Sequence, residues 1–311
     1  MSALICGSMA YDTIMVFHDK FKNHILPEKV HILNVSFLVP TLRREYGGCA
    51  GNIAYNLKLL GEQPAIMATV GHDFEPYSQW LGQNCLSSPY IRILDNNYTG
   101  QAYITTDEDG NQITAFHPGA MNCSHLNSVP TDDPDIAIGI VSPDGKEGMQ
   151  LHAEQFCELG IPFIFDPGQG MPMFDGDELR KFIDQAAWVT LNDYESELMQ
   201  ERTGLTLDEM AEKVEALIIT LGGKGSKIYT KGQCIDIPVA KPKALLDPTG
   251  CGDAHRAGLL YGLMNDLNWE TTGRIASLMG AIKIEHNGTQ NHAFDMDEFH
   301  QRYFENFGSS F

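Results

Sequence analysis

Nowhere in this chain is there a CxxC pair or an HExxH zinc motif, and positive charge is scarce: 21 Lys and Arg stand against 41 Asp and Glu, a formal net charge of −20. The scarcity excludes a general nucleic-acid or anionic-membrane binder, because such binding draws on clustered Lys and Arg. The seven cysteines are irregularly spaced and form no even framework. The expectation is therefore a chain without disulfides in a reducing cytoplasm. The opening "MSALICGSMAYDTIMVF" has no basic leader and carries Asp12 inside its apolar run, so it suits neither a signal peptide nor a membrane span and is expected to be a buried first strand. Internal repeats, low-complexity tracts and flexible linkers are also missing. What remains is one domain over residues 1–311, with 43% apolar residues to build its core and small-molecule chemistry as its business.

Six apolar runs, "ALICG", "PAIMATVG", "DIAIGIVS", "IPFIFDP", "WVTLN" and "LIITLGG", recur with helical patterns between most of them. That pattern predicts an α/β fold with a mostly parallel sheet covered on both faces, which binds ligands at the carboxyl ends of its strands. Gly7, Gly71, Asp166, Asn192 and Gly222 end such runs and are rim positions. Two segments, about 17–44 and 92–116, instead show short alternating stretches, including "HILNVSFLV" and an Asp109-Gly110 hairpin signal. They are expected to form a small inserted β-sheet lid; an edge ribbon serving only dimer contact is the alternative.

The densest signal is "DPTGCGDAHRAG", Asp247 to Gly258, ahead of Leu259, Leu260, Leu263, Met264 and Leu267 on one helical face. The spacing predicts a helix starting near Asp253 with glycines at its tip. Amide groups there lack intrahelical partners and the dipole is positive, so an anion is favoured if backbone can come close. Two familiar phosphate loops fail: His255 stands where a dinucleotide fingerprint needs glycine, and "LGGKGS" lacks the Walker spacing. With the amides of Gly250, Cys251 and Gly252 on a phosphoryl group, Asp253 can face an incoming hydroxyl and accept its proton. A plain helix cap is the structural alternative for Asp253.

"DPTGCGD", followed by a helix, resembles the D-T-x-G-A-G-D signature of the ribokinase (PfkB) family of carbohydrate and nucleoside kinases. "GGCAGNIA", Gly47 to Ala54, is similar to the family's G-G-x-x-x-N-x-A, and "NDYE", Asn192 to Glu195, to its N-x-x-E. The motifs occur in family order, and the resemblance covers essentially the whole chain. It implies a ribokinase-like three-layer sandwich with a β lid, and ATP as phosphoryl donor. It also implies Mg²⁺ held by Glu195, through water, beside Asn192, with Thr220, Gly222 and Gly225 next to the nucleotide. Lys224 either touches phosphate or is a surface lysine beside a turn. On the acceptor side it implies Asp12, Gly48 and Asn52 around a sugar diol, where an amide side chain can both donate and accept. Asn52 is also expected to open a helix ending at Gly61.

"LPEKVH", "VSFLV", "AFHPGAM" and the late "GTQ" look like the bacterial adenosine kinases of that family. That likeness places Phe116 against a purine face and Gln169 near its edge. The expected reaction is ATP-dependent phosphorylation of the 5′-hydroxyl of a purine nucleoside, with adenosine giving AMP, a purine-salvage step. A broad nucleoside or sugar kinase is the alternative within the family. A catalytically silent nucleotide-binding regulator is the alternative outside it, disfavoured by the presence of Asp253 and Glu195. The family's response to K⁺ admits a monovalent cation as a further cofactor, and the β insert offers a surface for a homodimer; the residues themselves address neither. His255 stands where close relatives usually carry phenylalanine and is expected to be a packing substitution.

Overall fold

The structure is a computed structural model and describes residues 1–25, 32, 34–86 and 88–311. "LPEKVH", residues 26–31, lies outside the described residues, as does Leu33 of "HILNVSFLV".

Nine strands form the large sheet. In spatial order they are β13 (Gln233–Ile237), β12 (Ser226–Thr230), β11 (Ala216–Thr220), β10 (Trp188–Asn192), β9 (Phe163–Phe165), β8 (Ile136–Val141), β1 (Ser2–Cys6), β4 (Ala65–Gly71) and β5 (Tyr90–Leu94). From β11 to β5 every pairing is parallel, and β11–β12–β13 are antiparallel. The apolar runs are continuous because both faces are buried. On β1, Ala3 and Ile5 enter one core while Leu4 and Cys6 enter the other.

The first core is covered by α1 (Cys49–Leu59), α2 (Glu75–Gln83), α7 (Cys251–Met264) and α8 (Trp269–Ile284). The second is covered by α3 (Lys146–Leu159), α4 (Gly176–Gln185), α5 (Asp193–Thr203) and α6 (Leu207–Lys213). A last helix, α9 (Met296–Phe307), packs outside α7 and α8. The result is the three-layer ribokinase-like sandwich.

A second sheet of four strands has the order β3 (Thr41–Gly47), β2 (Ala10–Val16), β6 (Gly100–Thr106) and β7 (Gln112–His117). Its course differs from the sequence expectation in three places. The opening apolar run is two strands, β1 and β2, in different sheets, with Asp12 on the second. In the first insert the paired strands are 10–16 and 41–47, while residues 34–40 of the alternating stretch are unpaired. Arg92 belongs to β5 at the edge of the large sheet, so the small sheet resumes only at Gly100. Alternation marks a half-exposed strand but not the sheet that owns it. The Asp109-Gly110 turn is present, with Gly110 at φ 79° and the Asp107 carboxylate accepting from the amides of Asp109 and Asn111.

Helices α7 and α8 meet through small residues. A Cβ at Gly258 would lie 2.4 Å from Ala276 Cα, and one at Gly262 would lie 2.3 Å from Thr272 Oγ1. This close approach brings the start of α7 down onto the end of α8. Replacing Gly258 by Ala should force the helices apart and cost about 1–3 kcal/mol, the usual scale of overpacking. Urea denaturation of Gly258→Ala checks it; an unchanged midpoint would show that the contact carries no such constraint.

Candidate active site

Two helix tips converge on one cleft. Gly48 caps α1 with φ 87°, and a Cβ there would sit 2.5 Å from Ser8 O, so only glycine fits. The α1 tip is spent within the protein: Cys49 N donates to Ser8 Oγ (3.2 Å) and Ala50 N to Ser8 O (2.9 Å). The α7 tip is different. Gly250 caps it in the left-handed conformation (φ 79°) and the helix begins at Cys251, two residues before the expected start. Cys251, expected to offer its amide to an anion, donates it instead to Pro248 O at 3.2 Å. Among the described residues the amides of Gly250, Gly252 and Asp253 have no partner, so in the anion-receptive set Asp253 takes the place of Cys251.

Asp253 makes no capping bond. Its Oδ2 accepts from Asn52 Nδ2 at 2.8 Å, across the gap between the two tips. Asn52 is the fourth residue of α1 rather than its opening residue, and it is buried. Its Oδ1 accepts from Gln290 Nε2 (3.0 Å), which fixes which end of the amide faces Asp253. Gln290 is held in turn by Tyr77 Oη (2.6 Å) and by Trp80 Nε1, which donates to its Oε1 (2.9 Å). Tyr77 finally donates to Gly47 O (2.9 Å) at the end of β3. Burial pushes the Asp253 carboxyl up to about 6; the Asn52 amide and then the Arg256 guanidinium restrain the rise.

Both tips open into a cavity of about 780 Å³. Gly48, Asn52, Gly250, Gly252 and Asp253 line it from the helices; Asp12 and Phe116 line it from the small sheet; Gln169, Asn192 and Glu195 line it from the large sheet's rim. Asp12 donates to and accepts from no other side chain among the described residues, and burial with neighbouring Glu45 and Asp247 raises it to about 6. Phe116 and Gln169 are exposed toward the opening. Thr220 pairs in register with Asn192 on the same rim, but Thr220, Gly222, Lys224 and Gly225 fall outside the cavity lining.

Asn192 and Glu195 form a reciprocal capping box at the start of α5: Glu195 N donates to Asn192 Oδ1 (2.7 Å) and Asn192 N to Glu195 Oε2 (2.8 Å). The N-x-x-E spacing thus has a complete local explanation besides any ion. Glu195 is still raised above the ordinary carboxylate range, first by burial and then by the charge of Asp166.

One site residue escaped the sequence reading. Arg256, one turn into α7, donates through Nε and Nη2 to both oxygens of buried Asp166 at 2.9 Å. Its Nη1 is left facing Gly252, where a Cβ would be 2.7 Å away. The partnership across 90 residues reveals it, and the local sequence assigns Arg256 no role. His255 is buried with both ring nitrogens unpartnered, and burial lowers it to about 3. It is a neutral packing residue.

These features fit a kinase of the ribokinase fold. Comparison with known proteins narrows the class. The chain belongs to the pfkB family of carbohydrate kinases, whose pattern matches residues 9–295, and it is an ATP-dependent kinase. It is 31% identical over 277 residues to a nucleoside kinase of Methanocaldococcus jannaschii, covering 88% of this chain and 91% of that one. The structure of Burkholderia thailandensis nucleoside kinase in complex with inosine superposes with a TM-score of 0.89 at 50% identity, covering 99% of each chain. The same enzyme in complex with ADP-inosine gives 0.87 at 51% identity, covering 99% of this chain and 97% of that one. No helix among the described residues is long and apolar enough to cross a membrane.

The buried His255 generates a stability prediction. Its folded value lies below the ordinary 6.5, so its contribution is fully present above pH 6.5 and is lost as the pH falls toward 3. His255→Phe should remove two unsatisfied nitrogens, adding about 1–3 kcal/mol at neutral pH. It should also lose a slope of about 1.4 kcal/mol per pH unit below 6.5. Denaturant titrations at pH 7.5 and 5.5 decide; parallel pH dependence in both proteins would contradict the burial of a neutral ring.

Proposed function

We propose that the protein transfers the γ-phosphoryl of ATP to the 5′-hydroxyl of a purine nucleoside. The observation that carries this is the pairing at one point of free α7 amides with a carboxylate oriented by Asn52. The amides of Gly250, Gly252 and Asp253 stabilise charge on the transferring phosphoryl, and the free Nη1 of Arg256 adds a cation at the same tip. Asp253 accepts the proton as the hydroxyl oxygen bonds to phosphorus, and ADP leaves. Asp12, without a protein partner, takes the ribose diol with Asn52, and Gly48 lets the backbone approach the sugar. Phe116 covers the base, a stacking contact worth about 1–3 kcal/mol. The small sheet, acting as a lid, keeps water from competing as acceptor. On the donor side Asn192, Thr220, Gly222 and Gly225 lie along the path of the nucleotide.

Glu195 with retained waters suits Mg²⁺. Its Oε1 is unclaimed while Asp166 raises its proton affinity, and among the described residues no three His, Cys, Asp or Glu side chains form a cage. Mg²⁺ bound there neutralises charge on the nucleotide phosphates.

A second reading, a broader nucleoside acceptor range, is favoured by the inosine complex of the Burkholderia thailandensis relative. Gln169 is compatible with it, because an amide can accept from the adenine amino group or donate to the hypoxanthine carbonyl. Adenosine, inosine, guanosine and ribose offered side by side with ATP and Mg²⁺ test both; ribose as the best acceptor would reject the nucleoside assignment.

Asp253→Asn should lower kcat by about 10²–10⁴ while the nucleoside KM moves little, and near-normal turnover would remove Asp253 from the proton-accepting role. Because the base must be ionised, kcat/KM should fall on the acid side with a midpoint near the value of about 6 set by burial. Asn52→Leu deletes the bond that restrains that value, so the acid limb should move to higher pH; a limb that does not move would show that Asn52 leaves the base untouched.

A further inference from the structure

Lys283 lies one residue before the end of α8 and is fully buried, yet no carboxylate is within ion-pair distance of it among the described residues. Its ammonium donates instead to two backbone carbonyls, Asp247 O at 2.8 Å and His286 O at 3.1 Å. A Cβ at Gly250 would be 3.6 Å from Lys283 Cε, so the side chain runs directly beneath the turn that caps α7. That turn is tied to the same helix end by Leu246 N and Asp247 N, which both donate to Ile284 O (2.9 and 3.2 Å), and by Gly288 N, which donates to Asp247 Oδ2 (2.9 Å).

An isolated ammonium is costly to bury unless carbonyl groups and a helix terminus compensate. Here the carboxyl end of α8 and two carbonyl oxygens do so. Burial lowers the ammonium's proton affinity below the ordinary lysine value, and the neighbouring carboxylates of Asp247 and Asp253 act against that by favouring the charged form. The coordination, oxygen dipoles converging on one positive charge, is what a bound monovalent cation would receive, except that this cation is covalently attached.

We propose that Lys283 is a positioning residue that serves as a tethered monovalent cation: it holds the Asp247–Gly250 backbone in its anion-receiving shape and places positive charge behind the amides. The consequence is a catalytic turn that needs no soluble monovalent ion. This rests on the α7 tip being the phosphoryl site.

The test begins with the unaltered protein, whose turnover and Tm should be the same in chlorides of potassium, sodium and tetramethylammonium at equal ionic strength. A several-fold requirement for potassium would overturn the proposal. Lys283→Ala vacates the carbonyl pair. Its kcat should fall about 10²-fold, the scale of losing one oxyanion donor, and its Tm should drop. Ammonium, methylammonium or potassium should restore part of both, and tetramethylammonium, too large for the vacancy, neither. Normal turnover without added cation, or losses that no small cation restores in a cooperatively melting variant, would refute it. If Lys283→Ala does not fold, Lys283→Met fills the space without charge, and a normal kcat there refutes the proposal equally. Because the Tm arm uses no substrate, it decides the cation role even if no nucleoside proves to be an acceptor.

Discussion

The site depends on one hydrogen bond, Asn52 Nδ2 to Asp253 Oδ2, which ties the first turns of α1 and α7 together. A carboxylate drawn away from water binds its proton more tightly and loses its use as a base at neutral pH. A single oriented donor limits that rise, but an amide is a good donor only if it cannot turn over. Gln290 prevents the turn by occupying Asn52 Oδ1, and Tyr77 and Trp80 prevent Gln290 from moving. The Asp253 carboxylate is therefore adjusted by a chain of neutral polar groups ending at Gly47 O. Such a chain works only when every member is satisfied, which explains why a tyrosine and a glutamine occupy otherwise apolar ground.

Charge in the cavity poses a separate problem. Five acids, Asp12, Asp144, Asp166, Glu195 and Asp253, line a space proposed to admit a triphosphate, and among the described residues Arg256 is the one cationic side chain lining it. Three features reduce the conflict. Asp144 is buried, and desolvation raises it to about 8, which weakens its negative charge in the cavity. Asp166 is neutralised by its two-pronged contact with Arg256. The α7 tip adds free amides in front and the Lys283 ammonium behind. The positive charge is thus concentrated at the α7 tip, the proposed phosphoryl position, while the remaining acids line the part of the cavity where, on the same reading, sugar hydroxyls would find acceptors. The overall charge of −20 is compatible with an anionic substrate because the local field, not the total, meets the ligand.

What was legible in the sequence was whatever acts over a few residues. Strand ends set the rim, and the failure of the two familiar phosphate loops singled out the turn before Asp253. The glycine turn also pointed to unpartnered amides at the α7 tip, though it could not tell which amide the turn consumes; that depends on Pro248 O reaching Cys251 N. "NDYE" resembles an ion-binding motif, but its spacing is equally that of the capping box it forms, so the spacing alone does not separate the two roles. What was not legible acts at long range. Gln290 meets Asn52 from 238 residues away and Arg256 meets Asp166 from 90. Lys283 carries no motif at all, and its meaning comes from which carbonyls converge on it. The small sheet was legible as a composition but not as boundaries, because β5 alternates like a lid strand while pairing with β4.

The small sheet is joined to the site in a way that constrains how it can act as a lid. Strand β2 leaves β1 through Gly7–Met9, and β3 enters α1 through Gly47–Gly48, so both connections pass beside the cavity. A Cβ at Gly47 would be 2.6 Å from Asp12 Oδ2, which places the sheet's own carboxylate against the connection from β3 to α1. On the far side, Asp73 after β4 fastens the sheet: it accepts from Thr99 N (2.7 Å) and Gln101 Nε2 (3.1 Å), lies 3.9 Å from Arg44, and its carbonyl accepts from Tyr11 Oη (2.9 Å). Arg44 also lies 3.6 Å over the Tyr11 ring. A sheet fastened there presents Asp12 and Phe116 to the cleft from one side, while Asn52 and Asp253 reach it from the helix tips on the other. On the proposed reading the acceptor would lie between the two, its base and sugar against the sheet and its hydroxyl against the helices.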